Sequence, residues 1–205
     1  MNAPPTVRPA RREESAAGAV VLTDAFVDEA GLNYWLRQGA SKERSRGRFF
    51  DAVVQDAVHR ERELWLAEDG DQRLGAAVWL SPGKKAFDFS FWQELALAPL
   101  MLSIAGISGM QRGFALAEKL AEYHPHEPHA HLVFLGVAKA AQGRGVGSEI
   151  LKRTLAPLDA AGTVAYLECS TERNAALYAR HGFETSGEFN LPGLHMWAMT
   201  RQPRR

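Results

Sequence analysis

The sequence predicts an α+β fold, with a central mixed, twisted β-sheet of six to seven strands flanked by helices. Two observations carry this. From residue 130 onward the pattern runs strand, helix, strand, helix, strand, strand. Before it, two short apolar runs separated by "GDQ" form a strand pair with helical patterns around it, and such an order builds a mixed sheet. Hydrophobic residues are 46% of the 205 positions, enough for one substantial core, and residues 1–205 are read as a single domain.

The elements follow in order. Residues 1–5 carry no pattern and are expected to be disordered, and "TVRPA" suits a first strand. From Arg12 to about Ala30, Ala16, Ala19, Val20, Ala25, Phe26 and Val27 recur at helical spacing. "SRGRFFDAVVQDAVHR" gathers Phe49, Phe50, Val53, Val54, Ala57 and Val58 on one helix side. "ELWLAED" and "RLGAAVWL" then read as a β-hairpin. Residues 81–129 are expected to be a helical insertion of two or three helices, interrupted by Gly106, Gly109 and Gly113 and closed by "HPHEPH". "AHLVFLGV" is a buried strand, Ile150, Leu151, Thr154, Leu155 and Leu158 mark the next helix, "TVAYLECS" is a strand, "RNAALYARH" a short helix and "LHMWAMTR" the last strand.

Composition removes several classes. Lys plus Arg equals Asp plus Glu at 24 each, which argues against a partner bound mainly through nucleic-acid phosphates. The single cysteine, Cys169, permits no internal disulfide and no multi-cysteine zinc site; Cys169 is read as a small buried apolar residue. No apolar run is seen to reach the ~18 residues of a membrane span, and "MNAPPTVRPARREES" lacks the apolar core of a signal peptide. The expectation is a cytoplasmic protein without membrane or nucleic-acid partner, and without a metal.

The most specific segment is "GVAKAAQGRGVGSEIL", residues 136–151, with Gly143, Gly145 and Gly147 on alternate positions between a strand and a helix. A glycine turn leading into a helix makes an anion site, because the first amides of a helix lack internal partners and glycine lets a phosphate approach the backbone. The Gly-Lys-Ser/Thr ending of the NTPase loop is missing, and the register is wrong for the dinucleotide pattern G-x-G-x-x-G.

The loop does fit Gln-x-x-Gly-x-Gly, as Gln142, Gly145 and Gly147. It is followed by "YLECSTERNAALYARHGF", with Asn174, Tyr178 and the pair Gly182–Phe183. In this order and spacing the chain resembles the GNAT superfamily of N-acetyltransferases. "PTVR", "AF" at 25–26, "QGRGVGS", "RN…Y.R.GF" and "WAMTRQP" further resemble the puromycin N-acetyltransferases and their relatives.

The resemblance implies acetyl-CoA as cofactor and direct acetyl transfer to the primary amine of a small molecule, of aminonucleoside or antibiotic type. A homodimer is compatible with it. It implies that Gln142, Gly143, Arg144, Gly145, Val146, Gly147 and Ser148 hold the pyrophosphate, that Leu135, Gly136 and Val137 pair with the pantetheine arm, the Val137 amide also facing the oxyanion, and that Asn174 contacts the same arm or caps the helix after it. Tyr178 would be the general acid, since a phenol of pKa ~10 can protonate a leaving thiolate.

For the base, His129 and His131 are the candidates. Two apart on a strand, they share a face, expected to be that of Val133, Leu135 and Val137. His131 stands eleven residues before Gln142, where many enzymes of this superfamily keep their base, and imidazole titrates near neutrality. Glu127 is the weaker alternative. At this point the pattern departs from the puromycin enzymes, with Ala130 and His131 in place of an aromatic pair. Tyr34 and Trp35 are expected to wall one side of the acceptor pocket and Trp92 the other. A protein or peptide amine as acceptor, and a non-catalytic acyl-CoA-binding module, stay open as alternatives.

Overall fold

The described residues of this computed structural model are 4–59, 63–83 and 91–204, the side chains of 56–59 and 91–96 excepted. Seven strands form one sheet: β1 (Thr6–Pro9), β2 (Glu63–Asp69), β3 (Gln72–Leu80), β4 (Ala130–Val137), β5 (Ala165–Cys169), β6 (Glu184–Leu191) and β7 (Leu194–Arg201). Their spatial order is β1-β2-β3-β4-β5-β7-β6. All neighbours are antiparallel except β4 and β5, so the sheet is mixed, as the sequence predicts.

Helices cover both faces. On one lie α1 (Ser15–Ala25), α2 (Ala30–Trp35), α3 (Lys42–His59) and α4 (Phe91–Tyr123); on the other lie α5 (Val146–Ala160) and α6 (Glu172–Arg180). The first core packs Leu22, Leu36, Phe50 and Val54 against Leu66, Ala76 and Val78. The second packs Ile150, Leu151 and Tyr178 against Ala77, Leu132 and Leu167. Each fully buried aliphatic side chain of this kind contributes about 1.5–3 kcal/mol, so the apolar stripes read from the sequence are what fix the helices to the sheet.

The helix expected to run from Arg12 to about Ala30 is instead two. α1 ends at Ala25, and α2 starts afresh because the Glu29 carboxylate accepts from the amides of Gly31 and Leu32. α4 is broken at Gly106, whose φ of 69° and ψ of 175° are non-helical. Arg37 seals the break: its amide donates to the Ile104 carbonyl at 2.8 Å and its Nη2 to the Leu102 carbonyl at 3.1 Å. Within α4, Leu97–Tyr123 contains a window long and apolar enough, by length and composition alone, to cross a membrane. This corrects the sequence reading, which sought an unbroken apolar run; alanine, glycine and serine interleaved with leucine and isoleucine reach the same average.

Two features of β4 position the site. The first is a bulge. Trp79 of β3 pairs with Leu132, but its neighbour Val78 pairs with Phe134, leaving Val133 extra. Leu132 and Leu135 therefore point to the α5 face, while Phe134 points to the α1 face. The second is a short pairing. β4 and β5 pair only through Ala130–Ala165, His131–Tyr166 and Leu132–Leu167. Beyond that the two strands separate.

Candidate active site

The glycine loop sits at the end of β4. Gly143 and Gly145 adopt φ of 77° and 80°, in the left-handed region that favours glycine, and a Cβ on either would meet nothing within 4 Å. The space above them is open. Gly147 is different: it is helical, and a Cβ there would lie 3.5 Å from Leu177 and Val137. Gly145 is the N-cap of α5 and supplies no side chain, so no side chain caps the helix. Val146 is buried and plugs this end of α5 into the core. Glu149 donates its amide back to Gly145. The preceding first-turn amides thus form a cradle for an anion.

The backbone of β4 extends the cradle. The Ala138 amide donates to Leu74 of β3. Alternation along the strand then turns the amides of Leu135 and Val137 to the opposite edge, which β5 has left. Gln142 Nε2 donates to the Val137 carbonyl at 3.2 Å, tying the loop to that edge. Gly136 faces β3 with its backbone, and a Cβ on it would come within 2.8 Å of Ala25 and 2.9 Å of Leu22. Its absent side chain therefore serves the approach of α1. An open glycine cradle and a free strand edge fit a coenzyme A diphosphate and a pantetheine arm respectively.

Around this frame stand the remaining predicted residues. Arg144 is exposed, 4.0 Å from Asp69. Ser148 Oγ and His181 Nε2 share a hydrogen bond of 2.6 Å. The cap of α6 is Thr171, whose hydroxyl accepts from the Asn174 amide at 3.2 Å, so Asn174 lies in the first turn and is not the cap. Tyr178 is buried beside Phe183, ring centroids 5.9 Å apart. Burial, with Cys169 and Glu29 adding to it, raises the Tyr178 phenol above its usual value, so it keeps its proton throughout the working range. Burial also pushes the Cys169 thiol up to about 12, which holds it as a neutral thiol.

On the other face of the sheet is a buried polar cluster. His131 Nε2 lies 2.8 Å from Glu168 Oε2. His124, His129 and His131 each stack near Tyr166, with centroids 5.1, 5.4 and 5.2 Å away. Burial works to raise the Glu168 carboxyl, but His131, Tyr166 and His124 outweigh it and hold it below the usual carboxylate range. Burial lowers His129, whose Nδ1 lies 2.7 Å from the Glu127 carbonyl. His131 Nδ1 is buried with no hydrogen-bond partner among the described residues. The bulge corrects the predicted facing: His131 shares a face with Phe134, opposite Leu135 and Val137.

Neither Glu168 as a member of this cluster nor the contact between Ser170 and Glu29 was legible in the sequence. The Ser170 hydroxyl donates to Glu29, which joins the end of β5 to the start of α2. A carboxylate within the apolar strand "AYLEC" was the available signal. Tyr34 and Trp35 are brought to the α2–α4 junction. The Tyr34 carbonyl accepts from Arg112, and Trp35 stacks edge-on to Phe49 with its carbonyl pressed against Gly109. The side chain of Trp92 lies outside the described residues. No cluster of metal-ligating side chains occurs among the described residues.

Comparison with known proteins agrees with this geometry. The family model described as an acetyltransferase (GNAT) domain matches residues 104–185. The N-alpha-acetyltransferase RimI of Mycobacterium tuberculosis is 39% identical over 118 residues, 55% of this chain and 72% of RimI. A Corynebacterium glutamicum structure, described as histone acetyltransferase HPA2 and related acetyltransferase, shares the fold with a TM-score of 0.77 at 24% identity, over 99% of this chain and 98% of that one. YncA of Salmonella typhimurium, a putative acetyltransferase solved with its cofactor acetyl-CoA, superposes with a TM-score of 0.56 at 16% identity, over 99% and 96% of the two chains. With its glycine cradle at the end of a strand that parts from its neighbour, the chain belongs to the GNAT acetyltransferases, enzymes that take their acetyl group from acetyl-CoA.

Proposed function

We propose that the protein N-acetylates a small primary amine by direct attack within a ternary complex. The observation that carries the acceptor class is the position of α4. Its second half fills the space between α2 and the β6–β7 hairpin. Leu116 is buried with Phe189, Leu194 and Met196. Tyr123 stacks on Phe189 at 5.3 Å, over Gly187, where a Cβ would come 2.2 Å from the ring. An acceptor end covered in this way suits a compact amine better than a polypeptide.

The amides of residues 143–148 would hold the cofactor's diphosphate, and the Leu135 and Val137 edge its pantetheine arm. Bound there, the cofactor supplies the activated acetyl group. The Val137 amide, on the same edge, would be the donor available to the acetyl oxygen. Glu168, ionised and oriented by the Nε2–H of His131, would take the amine proton. An acceptor ammonium has a pKa near ~10, so only about one amine in a thousand is free at pH 7, and a base in reach relieves that limit. Tyr178, protonated and on the opposite face, would hold a proton for the coenzyme A sulfur. Cys169 stays a thiol and needs no part.

The test is release of coenzyme A thiol from acetyl-CoA with a panel of amines. Aminonucleosides of the puromycin type come first, on the resemblance carried mainly by residues 132–201. Peptides with free N-termini form the second arm, because the relationship to RimI favours a protein N-terminus as the competing acceptor. Turnover of peptides with no turnover of any small amine would overturn the small-amine reading.

A further inference from the structure

Beside the glycine loop lies a cavity of about 390 Å³, bordered by Gly145, Ser148, Lys152, His181, Arg201 and Arg204. His181 ends α6 as its C-cap, and its ring meets Ser148 in the first turn of α5. The charges around this ring are mostly positive. Arg180 comes from α6, Arg201 and Arg204 from the end of the chain, and Lys152 from α5. One of them is already answered. Arg201 is held by Asp159 at 2.7 and 2.8 Å, and Glu149 of α5 is taken by Arg153 at 2.8 Å. Arg204 gives Asp159 only its backbone amide, and its guanidinium lies over Gly182. Burial first, then Arg180, Arg204 and Arg201, keep the His181 imidazole below its usual value. In the free protein it is neutral at pH 7.

A diphosphate on the first turn of α5 reverses the sign of the charge that His181 faces. It also offers the Ser148 hydroxyl a stronger acceptor than an imidazole. We propose that His181 is a positioning residue that couples cofactor binding to the uptake of one proton. The Ser148 hydroxyl turns to donate to a phosphate oxygen. His181 takes a proton from solvent, and its Nε2–H donates to Ser148 Oγ. No other bond changes. Cofactor affinity then rises as pH falls. The coupling rests on the diphosphate lying at this loop, as the family assignment requires.

The experiment is isothermal titration of coenzyme A and of dephospho-coenzyme A, in buffers of different ionisation enthalpy, on the wild type and His181→Asn. Dephospho-coenzyme A lacks the 3′-phosphate, which itself titrates near neutrality. The wild type should take up ~0.5 proton with both ligands near pH 7.5, and His181→Asn none. By linkage, that uptake tightens wild-type Kd about tenfold over two pH units relative to the variant. Circular dichroism melts establish that the variant folds, and His181→Gln is the substitute if it does not. Equal uptake in wild type and variant overturns the proposal, as does uptake with coenzyme A alone, which assigns the effect to the 3′-phosphate. Binding without uptake overturns the coupling and leaves the cofactor site standing; no binding of either ligand overturns both.

Discussion

His131 Nε2 and Glu168 Oε2 meet at 2.8 Å across two parallel strands, at the place where those strands cease to pair. His131 belongs to the paired stretch and Glu168 lies one residue beyond it. The pair therefore stands where the two strands begin to part.

If this pair is the base, its loss should appear in the pH dependence. Wild-type kcat/KM should rise with pH along a limb that reports ionisation of the pair. His131→Ala should abolish the limb and move the optimum alkaline, where the free amine is abundant. Glu168→Gln should lower kcat by roughly a hundred- to ten-thousandfold. Superimposed profiles for all three proteins would show that the pair is structural only.

Tyr178→Phe removes one oxygen from a buried ring and leaves its packing on Phe183. The variant should bind acetyl-CoA as the wild type does and lose roughly ten- to a thousandfold in kcat. Single-turnover rates beside a cofactor titration separate the two quantities, and undiminished kcat would remove Tyr178 from the reaction.

Gly145→Val should abolish the rise in Tm that coenzyme A gives the wild type. A β-branched residue at φ 80° is strained by about 1–3 kcal/mol. Its side chain would also occupy the open space that the phosphate needs. A thermal-shift series with coenzyme A, ATP and NAD checks both the loss and the ligand's identity, since only coenzyme A should act on the wild type.

Gly109→Ala runs against helix propensity, which favours alanine over glycine by about 1 kcal/mol. Here a Cβ would stand 2.2 Å from the Trp35 carbonyl. α4 would have to withdraw from α2, and the variant should be less stable by about 1–3 kcal/mol. Urea unfolding measures it, and a gain in stability would show that the two helices are not in this contact.

Acid should weaken the fold in two stages. His129 is held below its unfolded value, so the unfolded chain binds more protons and stability falls as pH drops through ~6.5. Glu168 is also held below its unfolded value, so its contribution is intact above pH ~4.3 and is lost below it. Tm against pH should show both declines, and Glu168→Gln should flatten the second.

Much of this was readable in the sequence because it depends on neighbours in the chain. The hairpin 63–80 and the turn at 143–147 announce themselves by period and by glycine. What was not readable depends on register between distant strands. The extra Val133 puts Leu132 and Leu135 on one face, a three-residue interval that mimics a helix inside a strand. It sends His131 to the face opposite the one that simple alternation gives. Glu168 becomes legible only when β5 is laid beside β4, 37 residues away in the chain. The separation of α1 from α2 hangs on one carboxylate, Glu29, and no period records that.

The placement of α4 has a consequence for how such an enzyme changes over time. The groups proposed to handle the acetyl unit stand on β4, β5, α5 and α6, whereas the covering proposed for the acceptor end is a single helical segment resting on α2 and the outer hairpin. If the acceptor lies there as proposed, substitutions at Leu116, Tyr123 or Phe189 would alter which amines are admitted while leaving the glycine cradle and Tyr178 untouched. Selection can thus explore new acceptors on one part of the chain without surrendering the reaction encoded by another.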